Sequence, residues 1–153
     1  MPFVIKIFGF IFIVGATTLF GITLTQRLKL RLATLNWFVG ATEEIAEKIR
    51  YSSAELPHIV RSIYGYDTYL IVDEPFRVTL KNTGLDSDDK RVIEEFFSTL
   101  GMGDSESQVK RCEVYKRQLL RRLERADKEF HEKSRLYTRL GFLGGIGIVI
   151  MLI

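Results

Sequence analysis

Two histidines, one cysteine and several adjacent carboxylates stand out among the side chains of this chain that could make or break a bond. His58 and His131 could serve as bases, phosphate acceptors or metal ligands. Neither is followed by a second ligand at a metal-like spacing, and each falls within a helical pattern, so both are expected as surface or partly buried histidines. A signalling role for His131 would require an acid-labile phosphate on that residue, and no flanking motif supports one. Cys112 is alone, which rules out an internal disulfide; no spacing for a zinc site exists, and the expected place of Cys112 is a small core position. The pairs Glu43-Glu44, Asp88-Asp89 and Glu94-Glu95 are of a kind common on helix surfaces, without a companion that would raise a pKa or place a substrate. The glycine-rich run from Gly141 to Gly147 lacks the lysine of a phosphate-binding loop and follows no strand. No catalytic, cofactor or metal residue emerges, and the chain reads as non-enzymatic.

Charge points elsewhere. Lys110, Arg111, Lys116, Arg117, Arg121, Arg122 and Arg125 crowd one stretch, with Glu113, Glu124, Asp127 and Glu129 interspersed at spacings that allow pairing within a helix. A solvated helix face is the plain interpretation; the functional one is a surface for an acidic protein partner, with Lys110, Arg111, Arg117, Arg121, Arg122 and Arg125 as contacts. With 22 basic against 19 acidic residues, the overall charge carries no argument for nucleic acid.

The elements that must position this face begin at the ends of the chain. Phe3 to Leu24 is an apolar stretch whose only charge is Lys6 and has about the length needed to cross a hydrocarbon core, so residues 1–25 are expected as a transmembrane helix. Leu140 to Ile153 would reach only about 21 Å as a helix, and residues 140–153 are expected as a second, short or partly inserted anchor. Within it Gly141 and Gly145 form a GxxxG pair suited to close helix packing. A cleaved signal peptide ending near Gly15-Ala16 is the competing interpretation; Lys6 inside the run and the continuation to Leu24 oppose it. Arg27, Lys29 and Arg31 follow the first anchor and Lys133, Arg135 and Arg139 precede the second, which under the positive-inside rule makes residues 26–139 a cytosolic domain.

That domain is expected to be an all-α helical bundle. Leu28, Leu32, Leu35, Val39, Thr42, Ala46 and Ile49 recur at spacings of four and three, as do Val109, Cys112, Lys116, Leu119, Leu123, Ala126, Phe130, Lys133, Tyr137 and Leu140. Two long helices packed antiparallel follow, with a dimeric coiled coil as the alternative disfavoured by the seam lysines. Between them Ser52 or Ser53 should cap a helix with Leu56, Ile59, Val60 and Ile63 on its apolar face, stopped by Gly65. Asp86 to Asp89 should start a helix with Val92, Ile93, Phe96, Phe97 and Leu100 inward, stopped by Gly101. Asp104 and a Ser105–Gln108 capping box should open the last helix. Tyr69 to Leu80 suits a strand as well as a helix by composition, but Pro75 argues against a central strand and no partner strand is apparent.

The chain resembles the stage III sporulation protein AB family of endospore-forming bacteria over its whole length. The resemblance lies in Ile49-Arg-Tyr51 followed by Leu56-Pro57, in Leu100-Gly101-Met-Gly-Asp104-Ser-Glu-Ser-Gln108, and in Tyr137-Thr-Arg-Leu140-Gly141 leading into a short apolar tail. Glu55 departs from a frequent family proline, and Tyr69 to Leu80 is more strand-like than the short helix expected there. The resemblance implies a cytosolic helical domain similar to that of the type II secretion inner-membrane platform protein. It further implies a scaffold in the mother-cell membrane, within the channel complex joining mother cell and forespore, that docks a secretion-type hexameric ATPase and meets other channel subunits. A platform under a hexameric motor also invites a homo-oligomer. A platform subunit of a general secretion or pilus system is the alternative; such platforms carry a duplicated domain and more spans.

Overall fold

Prolines stand only at 2, 57 and 75, so nothing forbids uninterrupted helices on either side of the middle of the chain. The computed structural model shows two: α1 (Pro2–Tyr51) and α5 (Ser105–Leu152). Between them lie α2 (Leu56–Arg61), α3 (Tyr66–Tyr69), strands β1 (Leu70–Asp73) and β2 (Arg77–Leu80), and α4 (Ser87–Thr99). The structure describes residues 2–52, 54–74, 76–81 and 84–152, without the side chains of residues 2–7, 10, 13, 138, 141, 142, 148, 149, 151 and 152. Contacts divide the chain into two units, residues 1–29 with 127–153 and residues 30–126.

In the unit of residues 30–126, α1 and α5 lie antiparallel: Glu43 meets Lys116 at 2.8 Å, and Arg50 shares a cavity wall with Ser105 and Val109. The α5 seam is buried as expected at Val109, Cys112, Leu119 and Ala126, with Tyr115 added. On α1 the buried stripe is Thr34, Leu35, Phe38, Ala41, Thr42, Ile45 and Ile49. The expected Leu32, Val39 and Ala46 are only half-buried. The stripe is rotated because α1 is covered on two sides, by α5 and by the short elements. Phe38 sits against Phe97 of α4 and Tyr69 of α3, and Trp37 stacks on Tyr69 at 4.7 Å while its indole N–H donates to the Tyr64 carbonyl at 2.9 Å. Emptying a fully buried aromatic position such as Phe38 costs about 3–5 kcal/mol.

The fold is mostly helical, as expected, but not wholly so. Strands β1 and β2 pair antiparallel, with Leu70 opposite Leu80 and Val72 opposite Val78. These four side chains turn to the core while Ile71, Asp73, Arg77 and Thr79 face out, the alternation of a half-covered sheet. The missing partner strand is thus the second half of the same segment; Pro75 itself lies outside the described residues. Arg61 secures the hairpin by donating to the Val72 carbonyl at 3.0 Å.

Punctuation differs in three places. The N-cap of α2 is Glu55, without a side-chain bond, while Ser52 Oγ accepts from the Ala54 N–H; Ser53 lies outside the described residues. Gly65, at φ +75°, precedes α3 rather than ending α2, which stops at Arg61. The start of α5 uses Asp104, whose carboxyl is held below its usual range chiefly by a hydrogen bond from the Ser107 side chain. Gln108 instead reaches back across the turn, accepting from the Gly101 N–H and donating to the Gly103 carbonyl, both at 3.2 Å. Asp86 caps α4 as expected, accepting from the Asp89 N–H at 2.7 Å.

In the unit of residues 1–29 and 127–153, Gly145 packs so closely on α1 that a Cβ there would lie 2.6 Å from Thr17 Oγ1 and 2.9 Å from Val14 Cα. Gly145 is thus crowded against α1, while Gly141, the other member of the expected pair, lies among the residues whose side-chain positions are not described. Among the described residues no helix is long and apolar enough to cross a membrane, so the structure does not support the crossings expected at 1–25 and 140–153. Lys6 and much of both apolar runs lie outside the described side chains.

Candidate partner-binding face

The cationic stretch of α5 separates into two groups once side-chain partners are known. Arg111 is half-buried and donates to the carbonyls of Thr99 at 2.6 Å and Met102 at 2.7 Å. The first is the last carbonyl of α4 and the second lies in the turn before α5, so this guanidinium closes the end of α4 in the way cations near helix C-termini do. Lys116 spans to Glu43 on α1, and Lys110 pairs with Glu106 one turn back.

Arg122 also turns inward. Its Nη1 donates to Asp89 Oδ1 at 2.9 Å, while Arg31 Nε donates to Asp89 Oδ2 and Arg31 Nη2 to Asp86 Oδ2, both at 2.7 Å. Asp89 is fully buried, not on the helix surface as its neighbour in sequence suggested. Its carboxylate joins three helices, with Arg31 from α1 and Arg122 from α5 meeting at the first turn of α4. Two arginines on one carboxylate supply the charge-assisted bonds that a buried anion needs. Asp89 is the residue that the pattern of the chain concealed. Asp88-Asp89 looks like any acidic first turn, and its partners stand 58 and 33 residues away.

Arg117, Arg121 and Arg125 remain. All three are exposed, and none has a hydrogen-bond or ion-pair partner among the described residues. Spaced by four, they lie along one side of α5, next to the exposed Val114. Of the expected contacts Lys110, Arg111, Arg117, Arg121, Arg122 and Arg125, these three carry charge that the fold does not use. Arg111 and Arg122 are engaged in holding the domain together.

The other candidates for chemistry are where a passive role puts them. Cys112 is buried and burial pushes its thiol up to about 11, which removes the thiolate needed for reaction. His131 is exposed, with Nδ1 2.9 Å from the Asp127 carbonyl of its own helix, and His58 is exposed on α2. A cavity of about 170 Å³ between α1 and α5, lined by Thr42, Glu47, Cys112 and Lys116 among others, is small and carries mixed charge. Among the described residues no cluster could hold a metal ion.

The family model described as stage III sporulation protein AB matches residues 6–68 and 64–153, which together leave only the first five residues uncovered. No curated protein and no solved structure matches the chain.

Proposed function

The chain belongs to the stage III sporulation protein AB family and so has a role in sporulation, and from that premise we propose that it is a non-enzymatic membrane scaffold that docks a secretion-type hexameric ATPase. The platform sits in the mother-cell membrane, with residues 26–139 cytosolic and the apolar ends as anchors. The observation that carries the docking is the row Arg117, Arg121 and Arg125, exposed and without a partner among the described residues, on the same helix as Arg111 and Arg122, which are committed to the fold. Exposed arginines that cost the domain nothing are available to steer and hold an acidic surface.

Support for anchoring comes from the unit of residues 1–29 and 127–153. Phe8, Ile11, Phe12, Leu19 and Phe20 are each at least 65% exposed, with Leu143 and Ile150 similarly bare. No charged residue interrupts the chain between Lys6 and Arg27. Apolar surface of this extent is not left to water in a monomer. The hydroxyls of Thr17, Thr18, Thr23 and Thr25 each donate to a carbonyl three or four residues back in their own helix, which removes the cost of taking them into hydrocarbon.

The test is crosslinking and co-purification of the tagged full-length protein from membranes of sporulating cells, with mass spectrometry of what accompanies it. Recovery of the ATPase from wild type, and at least about tenfold less from a chain with Arg117, Arg121 and Arg125 all changed to Glu, is the expected result. Undiminished recovery from that variant would remove the arginine row from the docking; absence of the ATPase from wild-type membranes would remove the platform.

A further inference from the structure

A groove runs between α1 and α5 in the unit of residues 1–29 and 127–153. Its volume is about 450 Å³, within the range of small-molecule sites, and its wall is Ala16, Thr17, Phe20, Gly21, Leu24, Tyr137, Leu140 and Gly144. The wall is almost wholly apolar, its polar groups being the threonine hydroxyl, which is already bonded within its own helix, and the Tyr137 phenol. Along α1 the lining runs from Ala16 to Leu24, roughly 12 Å of helix.

Charge stands just beyond the Leu24 end of the groove. Arg27 follows Leu24 by three residues and Phe20 by seven, which keeps it on the groove's side of α1 just beyond the last lining residue. It is exposed and has no hydrogen-bond or ion-pair partner among the described residues. On α5 the corresponding position is Lys133, four residues before Tyr137, whose ammonium is held by Glu129. An apolar slot with a phenol in its wall and, one turn beyond Leu24, a guanidinium without a partner among the described residues is complementary to an amphiphile with an anionic head.

We propose that this groove binds one anionic phospholipid, an acyl chain lying along Phe20, Leu24, Leu140 and Gly144 with the phosphate on Arg27. The proposal rests on membrane anchoring of this unit. Between-helix pockets with a basic mouth on the cytosolic side are suited to such head groups, and guanidinium pairs with phosphate through parallel hydrogen bonds. Gly144 is the geometric key. A Cβ at Gly145 would collide with α1, but one at Gly144 meets nothing within 4 Å, so its missing side chain is open space that a chain can fill.

The difference between these two glycines supplies the experiment. Gly144→Leu puts a side chain into the groove from a position where a Cβ meets nothing within 4 Å, and Arg27→Gln removes the head-group contact while leaving the wall intact. Full-length protein is first floated with phosphatidylcholine vesicles containing phosphatidylglycerol, then extracted in mild detergent and examined by native mass spectrometry with each lipid added. Wild type is expected to float and to retain one phosphatidylglycerol in preference to phosphatidylcholine. Arg27→Gln should reduce that preference about fivefold, and Gly144→Leu should abolish the bound lipid. Arg139→Gln, a cation change adjacent to the groove wall but not on it, should leave the adduct unchanged.

Protein that floats yet binds both lipids equally, or Gly144→Leu that retains the adduct, overturns the lipid site and leaves the anchoring intact. A dimer in place of the lipid adduct, lost in Gly144→Leu, gives the groove to a second copy and likewise overturns the proposal. Failure of wild type to float overturns the anchoring and the lipid site together.

Discussion

Changing Asp89 to Asn should cost more stability than any other single-atom-scale change on the surface-looking face of α4. The side chain is fully buried and receives Arg31 Nε at 2.7 Å and Arg122 Nη1 at 2.9 Å. Asparagine keeps the shape and one acceptor but removes the charge, leaving two guanidinium groups facing each other. Losing one partner of a buried pair costs about 3–5 kcal/mol when the survivor cannot reach water. Here the survivors can, since the Arg31 and Arg122 side chains are 15% and 20% exposed, and Arg31 retains Asp86. The expected loss is therefore about 2–3 kcal/mol, with a coupling of about 1–3 kcal/mol between Asp89→Asn and Arg122→Gln in a double-mutant cycle. The assay is urea unfolding of the full-length protein in detergent, followed by the fluorescence of Trp37. That residue is the single tryptophan and stacks on Tyr69 within the same unit as the cluster. A loss below about 1 kcal/mol, or two substitutions that simply add, would refute the claim that this carboxylate joins the three helices.

Gly101→Ala should destabilise by about 1–3 kcal/mol, because φ there is +94° and the new methyl would lie 2.7 Å from Leu56 Cδ1; Gly103→Ala, at φ +87° with nothing nearer than 3.4 Å, should cost less. Thermal melts of the two variants check the order, and equal melting temperatures would contradict it. Cys112, buried and with its thiol raised to about 11, should resist alkylation at pH 8 in the folded protein and react once urea exposes it, so rapid native labelling would refute its core placement. Asp104 has a carboxyl held below its usual value, so its contribution is complete above the unfolded pKa near 3.9 and is lost as pH falls through the lower folded value. Urea midpoints measured from pH 6 to 2 should fall less steeply at the acid end for Asp104→Asn than for wild type; parallel curves would exclude Asp104 as an ionised cap.

The long helices were legible because their signals are local. Seam spacing, the absence of proline and the caps at Asp86 and Asp104 all act within a few residues, and they predicted α4, α5 and most of α1. The hairpin was harder to see because a strand needs a partner, and Leu70 to Asp73 found one inside the same segment that composition alone left ambiguous. On α1, Phe38, Ala41 and Ile45 were missed as core since a single-seam pattern presumes one covered face. The Leu100 to Gln108 motif that carried the family resemblance proves to be a turn clamped by Gln108 and Arg111, a structural element without a reacting group.

Sequence by itself determined the two long helices and α4, and that the two ends are apolar while the middle is charged. Those properties depend on neighbours three or four residues apart, and such neighbours are fixed by the covalent chain. Which cations are free was decided only by tertiary structure. The seven basic residues from Lys110 to Arg125 look alike in one dimension, yet Arg122 meets Asp89, Arg111 meets the Thr99 and Met102 carbonyls, and Arg117, Arg121 and Arg125 meet nothing described. A charge is committed or available according to what packing brings within about 3 Å of it, and that neighbour was 33 residues away along the chain for Arg122.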